Sequence, residues 1–254
     1  MTTTTTHSDG MPVWIDTMVP TGEARERLMA FYSSIFGWTW DVGVAETGFY
    51  SIAQRDGSAV MGIGQMEGTE GRLSTYFSTS DIDAAVARAA ALGATVFMPP
   101  MQVMDVGSMA MVLDPSGVTH GFWQANAFHG FGAMYELNTP GWFDHGSDEP
   151  VVASAYYQEL LGHDLIQPEP EMRVLTAGDQ WFASISHNMV PGRTAQWSPI
   201  FVVDALRRAH EDVRTAGGTV VLEEMPVPGS AISIFTEPVM NAMVTVMAAG
   251  EATE

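Results

Sequence analysis

The feature that most constrains this chain is an internal duplication. Segment 77–96 carries a run of small helix-forming residues, and segment 201–220 repeats its pattern at an offset of 124 residues. Upstream, segment 30–38 returns as segment 155–163 at an offset of 125 residues. A pattern that recurs at a nearly constant spacing indicates that one structural unit is present twice.

Within each half, the apolar pattern predicts the same order of elements twice. In the later part of the first half, a helix that Ser80 or Asp81 caps and Gly93 ends is followed by strands, two of them joined by a turn at 114–117. In the earlier part, helix 21–36 follows one strand and precedes a hairpin. The sequence therefore predicts an α+β fold of four β-α-β-β-β modules.

Length and duplication together predict two domains. A chain of 254 residues accommodates two units of roughly 125 residues by the usual size of a domain. We place the first domain at 11–127 and the second at 132–248, with the boundary near His129. Residues 1–10 are mostly polar and are predicted to form a disordered tail.

Composition argues against several classes of function. Ten basic and thirty acidic side chains give this acidic protein a formal charge of −20, which repels phosphate backbones and anionic membrane surfaces. Neither nucleic acid nor a membrane is therefore an expected partner.

The absence of cysteine fits a reducing compartment. Since the N-terminal segment has no apolar signal region and no stretch is long enough to span a bilayer, we expect a cytoplasmic protein.

Several short motifs add to the repeat. They are Trp14-Ile-Asp16, Phe31-Tyr32, Phe36-Gly-Trp38, Leu113-Asp-Pro-Ser-Gly117 and Gly121-Phe-Trp-Gln-Ala125. This set resembles the glyoxalase/bleomycin-resistance, or vicinal oxygen chelate, superfamily, in particular a tandem actinobacterial branch that includes a mycobacterial antigen. The resemblance covers about residues 11–248 and implies two glyoxalase-like domains in one chain. It leaves the activity open, because the superfamily contains lyases, isomerases, dioxygenases and drug-binding proteins.

The resemblance also says where a metal would be bound. Metal-dependent members take ligands from the first strand of a module and from the strand after the Asp-Pro-x-Gly turn. The corresponding positions are Trp14, Ser74 and Gly121 in the first half, and Met134, Ser198 and Val244, or Thr245 if the turn is slipped by one, in the second. None is a histidine or a carboxylate, and a divalent metal needs three or four such ligands. We therefore expect neither a metal nor another cofactor.

The same alignment predicts which side chains line the cleft of the first domain. They combine aromatic rings, thioethers and a few polar groups, and Glu136 is the corresponding candidate from the second domain. The predicted ligand-binding residues are Trp14, Ser74, Tyr76, Met109, Met111, Thr119, Trp123 and Glu136. Rings and flexible thioethers suit a flat hydrophobic guest. The alternative is that these side chains only fill the cleft.

Asp16 is the one candidate for chemistry. It follows Trp14 by two residues, so strand alternation puts both side chains on the same face of the strand. A carboxylate in such a place can act as a general acid or base. It can equally pair with a cationic amine of a ligand, or serve only the structure.

Three functions follow. The first is a metal-free protein that binds a planar aromatic natural product, for antibiotic resistance by sequestration or as an accessory to a tailoring oxygenase in aromatic polyketide biosynthesis. The second is a metal-independent isomerase, lyase or hydroxylase-type enzyme that acts on a polyketide-like substrate with Asp16 as its acid or base. The third is a metal-dependent lyase or dioxygenase whose ligands lie elsewhere. Duplication within one chain favours a monomer.

Overall fold

The computed structural model describes residues 7–69, 71–170, 172–188, 190 and 195–250. Within them the chain forms sixteen strands and four α-helices. In order these are β1 (Pro12–Val19), α1 (Gly22–Phe36), β2 (Thr39–Asp41), β3 (Ser51–Arg55), β4 (Ser58–Gln65), β5 (Leu73–Ser78), α2 (Ile82–Ala91), β6 (Thr95–Val103), β7 (Gly107–Leu113), β8 (Thr119–Ala125), β9 (Pro140–Ser147), α3 (Pro150–Leu161), β10 (Asp164–Glu169), β11 (Met172–Ala177), β12 (Gln180–His187), β13 (Gln196–Val203), α4 (Leu206–Thr215), β14 (Thr219–Val227), β15 (Ser230–Thr236) and β16 (Met243–Ala248).

The strands form two eight-stranded mixed sheets with the same topology. Their orders are β2-β3-β4-β1-β5-β8-β7-β6 and β10-β11-β12-β9-β13-β16-β15-β14. In each sheet the first strand of a module pairs in parallel with the last strand of that module, as β1 does with β4 and β5 with β8. The prediction of an α+β fold with four β-α-β-β-β modules is confirmed.

The helix limits follow from local sequence. The Thr21 side chain caps α1 by accepting a hydrogen bond from the Ala24 amide, and Gly37 ends that helix with φ 68°. Asp81, rather than Ser80, caps α2. Pro150 opens α3, where its missing N–H is not needed. Among the described helices, none is long and apolar enough to cross a membrane.

The start of the second sheet differs from the prediction. The metal positions implied by the resemblance place Met134 on the first strand of the second half, but that strand is β9. Tyr135 and Asn138 both have φ of 63° in the turns before it. The cause is helix length, since α1 has 15 residues and α3 has 12. The first strands and the helix starts are therefore offset by 128 residues, as from Asp16 to Asp144, whereas the helix ends are offset by 125. The expectation that Met134 and Glu136 point inward from a strand is wrong.

The described part of the chain divides into two compact units. Unit 1 comprises the described residues up to Trp14, Ser74–Gly130 and Phe143–Ser198. Unit 2 comprises Ile15–Leu73, Phe131–Trp142 and the described residues from Pro199 onward. Each unit thus combines modules from both halves of the chain. The limits proposed for the two domains, 11–127 and 132–248, stay predictions.

The N-terminal segment is partly described. Residues 1–6 of the predicted tail lie outside the described residues. Gly10 is buried, and its amide donates to the Ser78 carbonyl at 2.8 Å. The Asp9 carboxylate accepts a hydrogen bond from the Ser80 hydroxyl at 2.6 Å. Residues 9 and 10 are therefore hydrogen-bonded to the end of β5 and the residues that follow it.

Candidate ligand-binding face and buried polar centres

In unit 1, neighbouring strands bring apolar side chains to one face of the sheet. Met98 of β6 pairs with Met111 of β7, Met101 with Met109, and Met109 with Trp123 of β8. Residues paired across neighbouring strands project to the same side of a sheet. Tyr76 of β5 and Trp14 of β1 complete what we call the thioether–aromatic face, which consists of Trp14, Tyr76, Met98, Met101, Met109, Met111 and Trp123.

Two glycines allow the rings to lie against the backbone on this face. A Cβ atom at Gly121 would overlap the ring of Tyr76 and would come within 2.9 Å of the Met111 sulfur. A Cβ atom at Gly107 would lie 2.5 Å from the Trp123 ring. A side chain at either position would displace an aromatic ring from the sheet. These glycines therefore shape the face for flat groups.

Phe128 covers the aromatic end of the face. Its ring centroid lies 4.8 Å from that of Trp14 and 6.1 Å from that of Trp123, with the rings edge to face. The Trp123 indole N–H donates to the Phe128 carbonyl at 2.9 Å. Trp14, Tyr76 and Trp123 are buried, whereas Met101 at the thioether end is 48% exposed. The face is filled at one end and open to solvent at the other.

The remaining predicted ligand-binding residues divide into two groups. Ser74 and Thr119 are partly exposed, and strand alternation puts them on the side of Tyr76 and Gly121. Glu136 lies instead in an exposed turn of unit 2. It does not belong to the thioether–aromatic face.

Asp16 lies in unit 2 and is buried, with 4% of its surface exposed. The Tyr50 hydroxyl donates a hydrogen bond to its carboxylate at 3.1 Å. Asp16 pairs across the sheet with Gly62 of β4, and a Cβ atom there would overlap the Tyr50 hydroxyl. The structure therefore supplies this carboxylate with a phenol as its hydrogen-bond donor.

Asp144 is a counterpart of Asp16 that the sequence prediction missed. It is 5% exposed on β9, and it accepts hydrogen bonds from the hydroxyls of Ser184 at 2.7 Å and Ser186 at 3.0 Å. The signal was present in the sequence as a second Trp-x-Asp motif, Trp142-Phe-Asp144. It was overlooked because a constant offset of about 125 residues placed the first strand too early.

A separate polar cluster lies in the core of unit 1. The Asp114 carboxylate accepts hydrogen bonds from His145 Nε2 at 3.1 Å and from the Tyr157 hydroxyl at 2.8 Å. Nearby, His120 Nε2 is hydrogen-bonded to the Tyr156 hydroxyl at 3.0 Å. The side chains of Asp114 and His145 have no solvent-accessible surface. A substrate therefore has no access to this cluster, and we interpret it as structural.

Burial and hydrogen bonding shift two pKa values in this cluster. Burial lowers the pKa of His120 to about 4. Burial alone would raise the pKa of Asp114, but the hydrogen bonds from His145, Val118 and Ser116 and the charge of His145 lower it to about 2. Strand alternation points His120 away from the face of Gly121, and its ring contacts Tyr156.

The residues at the superfamily's metal positions do not fit a metal ion. In the first half, Trp14 and Ser74 are poor ligands, and the ring of Tyr76 covers Gly121. In the second half, Trp142 replaces Met134 at the first-strand position, and the pairing of Ile200 with Thr245 selects Thr245 over Val244. Among the described residues, no group of three or more His, Asp or Glu side chains could hold a metal.

Comparisons with known proteins agree with this architecture. A model of the glyoxalase-like domain matches residues 17–121. CFP32 of Mycobacterium tuberculosis, provisionally described as a glyoxylase, is 30% identical over 244 residues, which cover 91% of this chain and 92% of CFP32. The anthracycline biosynthesis protein DnrV of Streptomyces peucetius is 28% identical over 262 residues, covering 92% of each chain. The corresponding protein DauV of Streptomyces sp. (strain C5) is 28% identical over 176 residues, covering 62% of each.

Solved structures extend the likeness at the level of the fold. The 2,3-dioxygenase LapB from Pseudomonas sp. KL28 superposes with a TM-score of 0.66 at 11% identity, covering 97% of this chain and 94% of LapB. The Mn(II)-bound glyoxalase from Novosphingobium aromaticivorans also gives 0.66, at 16% identity, covering 96% of this chain and 83% of its own. The repeat, the sheet order and these relatives lead to one conclusion: the chain belongs to the glyoxalase-like, or vicinal oxygen chelate, family.

Proposed function

We propose that this protein binds a planar, hydrophobic aromatic natural product of the polyketide type on the thioether–aromatic face, without a metal. The observation that carries the proposal is the replacement of the three metal positions of the first half by Trp14, Ser74 and Gly121. At the last of these, the ring of Tyr76 lies where a ligand side chain would project. In our proposal, a surface for flat rings lies where metal-dependent members of the superfamily bind a metal.

The chemistry of the face suits such a guest. Indole and phenol rings stack on or pack edge to face with an aromatic ligand, and each good pair contributes about 0.5–1.5 kcal/mol beyond its buried area. The thioethers of Met98, Met101 and Met109 are partly or largely exposed and can adapt to the outline of different ligands. Phe128 is only half-buried, so a ligand can take its place over Trp14 and Trp123.

The named relatives support the ligand class. DnrV and DauV are described as anthracycline biosynthesis proteins, and anthracyclines are planar aromatic polyketides. We therefore extend the proposal to a role in antibiotic biosynthesis or resistance, in which the protein shelters such a compound or presents it to a tailoring oxygenase.

A second candidate is metal-independent catalysis. Asp16 is buried and accepts a hydrogen bond from Tyr50, and a carboxylate hydrogen-bonded to a phenol can exchange a proton with a bound carbonyl or phenol. Turnover of a polyketide-like substrate that survives a chelator and disappears in Asp16→Asn would favour this candidate. Turnover that Asp16→Asn leaves unchanged would exclude Asp16 from the reaction.

Titration with daunorubicin while tryptophan fluorescence is followed tests the binding function. We expect saturable quenching with a dissociation constant on the order of 1 µM, unchanged by EDTA. Trp123→Leu removes a stacking ring but keeps an apolar side chain, and we expect it to weaken binding about tenfold, or about 1.4 kcal/mol.

Two matched variants control for the loss of one fluorophore. Trp142→Leu changes the repeat counterpart of Trp14, and Trp181→Leu changes a tryptophan that is 42% exposed. Both should bind daunorubicin as the wild type does, and circular dichroism checks that all variants are folded. Absence of saturation, or equal weakening by Trp181→Leu, would contradict the proposal.

A further inference from the structure

Two glycines of unit 2 form a flat floor that an aromatic ring occupies. Gly62 and Gly64 lie two residues apart on β4, so they share one face of the strand. A Cβ atom at Gly62 would overlap the Tyr50 hydroxyl, and one at Gly64 would lie 3.1 Å from the Tyr50 ring and 2.5 Å from the Met18 sulfur. The Tyr50 ring therefore lies on the glycine floor beside a thioether.

The hydroxyl of this ring meets a buried carboxylate. Asp16 is 4% exposed and accepts a hydrogen bond from the Tyr50 hydroxyl, with the two oxygens 3.1 Å apart. A buried carboxylate that loses a hydrogen-bond donor incurs a desolvation penalty. The slot formed by Asp16, Met18, Gly62 and Gly64 thus has the shape and the acceptor for a hydroxylated aromatic ring.

Tyr50 is attached to a segment that is largely exposed and contains a strained residue. It ends the exposed stretch 42–50, in which Val44 is 57% exposed and Phe49 is 40% exposed. Phe49 has φ of 58°, a strained value for an aromatic residue. Arg25 holds it through a hydrogen bond to its carbonyl at 3.0 Å and through its guanidinium, 5.0 Å from the ring centroid. Tyr50 itself is partly exposed.

The other half of the chain satisfies the equivalent carboxylate differently. Asp144 pairs with Ser184 on β12 as Asp16 pairs with Gly62 on β4. Ser184 and Ser186 donate to Asp144 from their own side chains, so they both occupy the floor and satisfy the carboxylate. Glycine at the corresponding positions of the first half leaves room for a ring.

We infer that this slot is a second ligand site, which takes the phenolic ring of a small molecule when Tyr50 moves out. Such a ligand donates a hydrogen bond from its hydroxyl to Asp16 and lies flat on Gly62 and Gly64 beside the Met18 thioether, as the Tyr50 side chain does. The slot selects neutral hydroxylated aromatics, because an anionic group beside Asp16 would be repelled. All five residues of this site belong to unit 2.

Chemical rescue of Tyr50→Ala with p-cresol, which has the structure of the tyrosine side chain, tests the inference. We expect p-cresol to raise the melting temperature of this variant saturably and to bind about tenfold more tightly than toluene, because only p-cresol donates to Asp16. The wild type should bind p-cresol measurably by calorimetry up to about 10 mM, but more weakly than the variant, since Tyr50 competes for the slot.

Further variants separate the slot from general binding. Gly62→Ser introduces the serine that the second half has at the corresponding position and should abolish p-cresol binding. Ser184→Ala, in the second half itself, should leave p-cresol binding unchanged. Should Tyr50→Ala not fold, Tyr50→Phe keeps the ring without the hydroxyl and should bind p-cresol more tightly than the wild type.

Two results would overturn the site. One is an equal affinity of Tyr50→Ala for p-cresol and toluene. The other is the absence of p-cresol binding to the wild type. Binding of p-cresol without binding of daunorubicin would retain the slot while rejecting the proposed function.

Discussion

The two compact units use the same module pairing but fill their cores differently. In unit 1, His145, His120 and Tyr156 surround the Asp114 and Tyr157 pair. By the repeat, the corresponding residues of unit 2 are Thr17, Val244 and Phe31, with Glu237 and Tyr32 in the places of Asp114 and Tyr157. Glu237 accepts instead from the backbone amides of Val239, Met240 and Ala242. One core is a polar network, and the other is largely aromatic.

This difference shows which suggestive residues are structural. An Asp, two His and two Tyr side chains in contact resemble a catalytic group, but unit 2 folds without a histidine at either of the corresponding places. The aromatic core of unit 2, in which Phe36 stacks on Trp38 at 4.6 Å, performs the same packing role. We therefore assign the polar cluster of unit 1 to stability.

The largest effect is expected from Asp114→Ala. The substitution leaves His145 and Tyr157 buried without their acceptor, and removal of one partner of a buried pair costs about 3–5 kcal/mol. Burial by itself raises the pKa of Tyr157, so in the variant its phenol stays protonated and cannot relieve the loss by ionising. Urea unfolding measures the total change, and hydrogen exchange should localise it to α3. The counterpart Glu237→Ala should cost less, about 1–3 kcal/mol; equal costs would refute the contrast.

Acidification should affect unit 1 more than unit 2. The pKa of His120 is lowered from 6.5 to about 4 in the folded chain, so the unfolded chain binds a proton first as pH falls. The contribution of neutral His120 to the free energy of unfolding is complete above pH 6.5. It is lost progressively as the pH falls to about 4, a loss of about 3 kcal/mol. Asp114, with its pKa lowered to about 2, adds a further loss as pH falls from about 4 to about 2. Hydrogen exchange that weakens equally in α1 and α3 would contradict this expectation.

A smaller effect on stability is expected when the apolar residues of unit 2 are introduced at the corresponding positions of unit 1. His120→Val alone leaves the buried Tyr156 hydroxyl without its partner and should cost about 1–3 kcal/mol. Adding Tyr156→Phe removes both partners and should recover most of that loss. Because His120 is absent, the double variant should also lack the decline in stability between pH 6.5 and 4. A double variant that is no more stable than His120→Val would show that the pair is not exchangeable.

Much of the fold could be predicted because the repeat carries local signals. Gly37 and Gly162 both end helices with positive φ, and the Asp81 cap fixes the start of α2. The start of β9 could not be found from a constant offset, since α3 is shorter than α1. The alternation of residues 134–138 imitates a strand, but the positive φ of Tyr135 and Asn138 belongs to turns.

The candidate sites were predictable only in part. The alternation of β5 and β8 indicated that Tyr76 and Trp123 share a face, because that signal is local. The contact of Asp16 with Tyr50 joins residues 34 positions apart, and their spacing in the sequence gives no indication of it. The convergence of His145 on Asp114 likewise depends on packing between modules from different halves of the chain.

The most direct test of metal-free aromatic binding is NMR of the tryptophan indole N–H groups during a daunorubicin titration in the presence of EDTA. We predict that the signals of Trp14 and Trp123 shift with one common saturation curve, while those of Trp142 and Trp181 stay in place. Shifts confined to Trp142 and Trp181, or shifts that appear only when a divalent metal is added, would contradict the account.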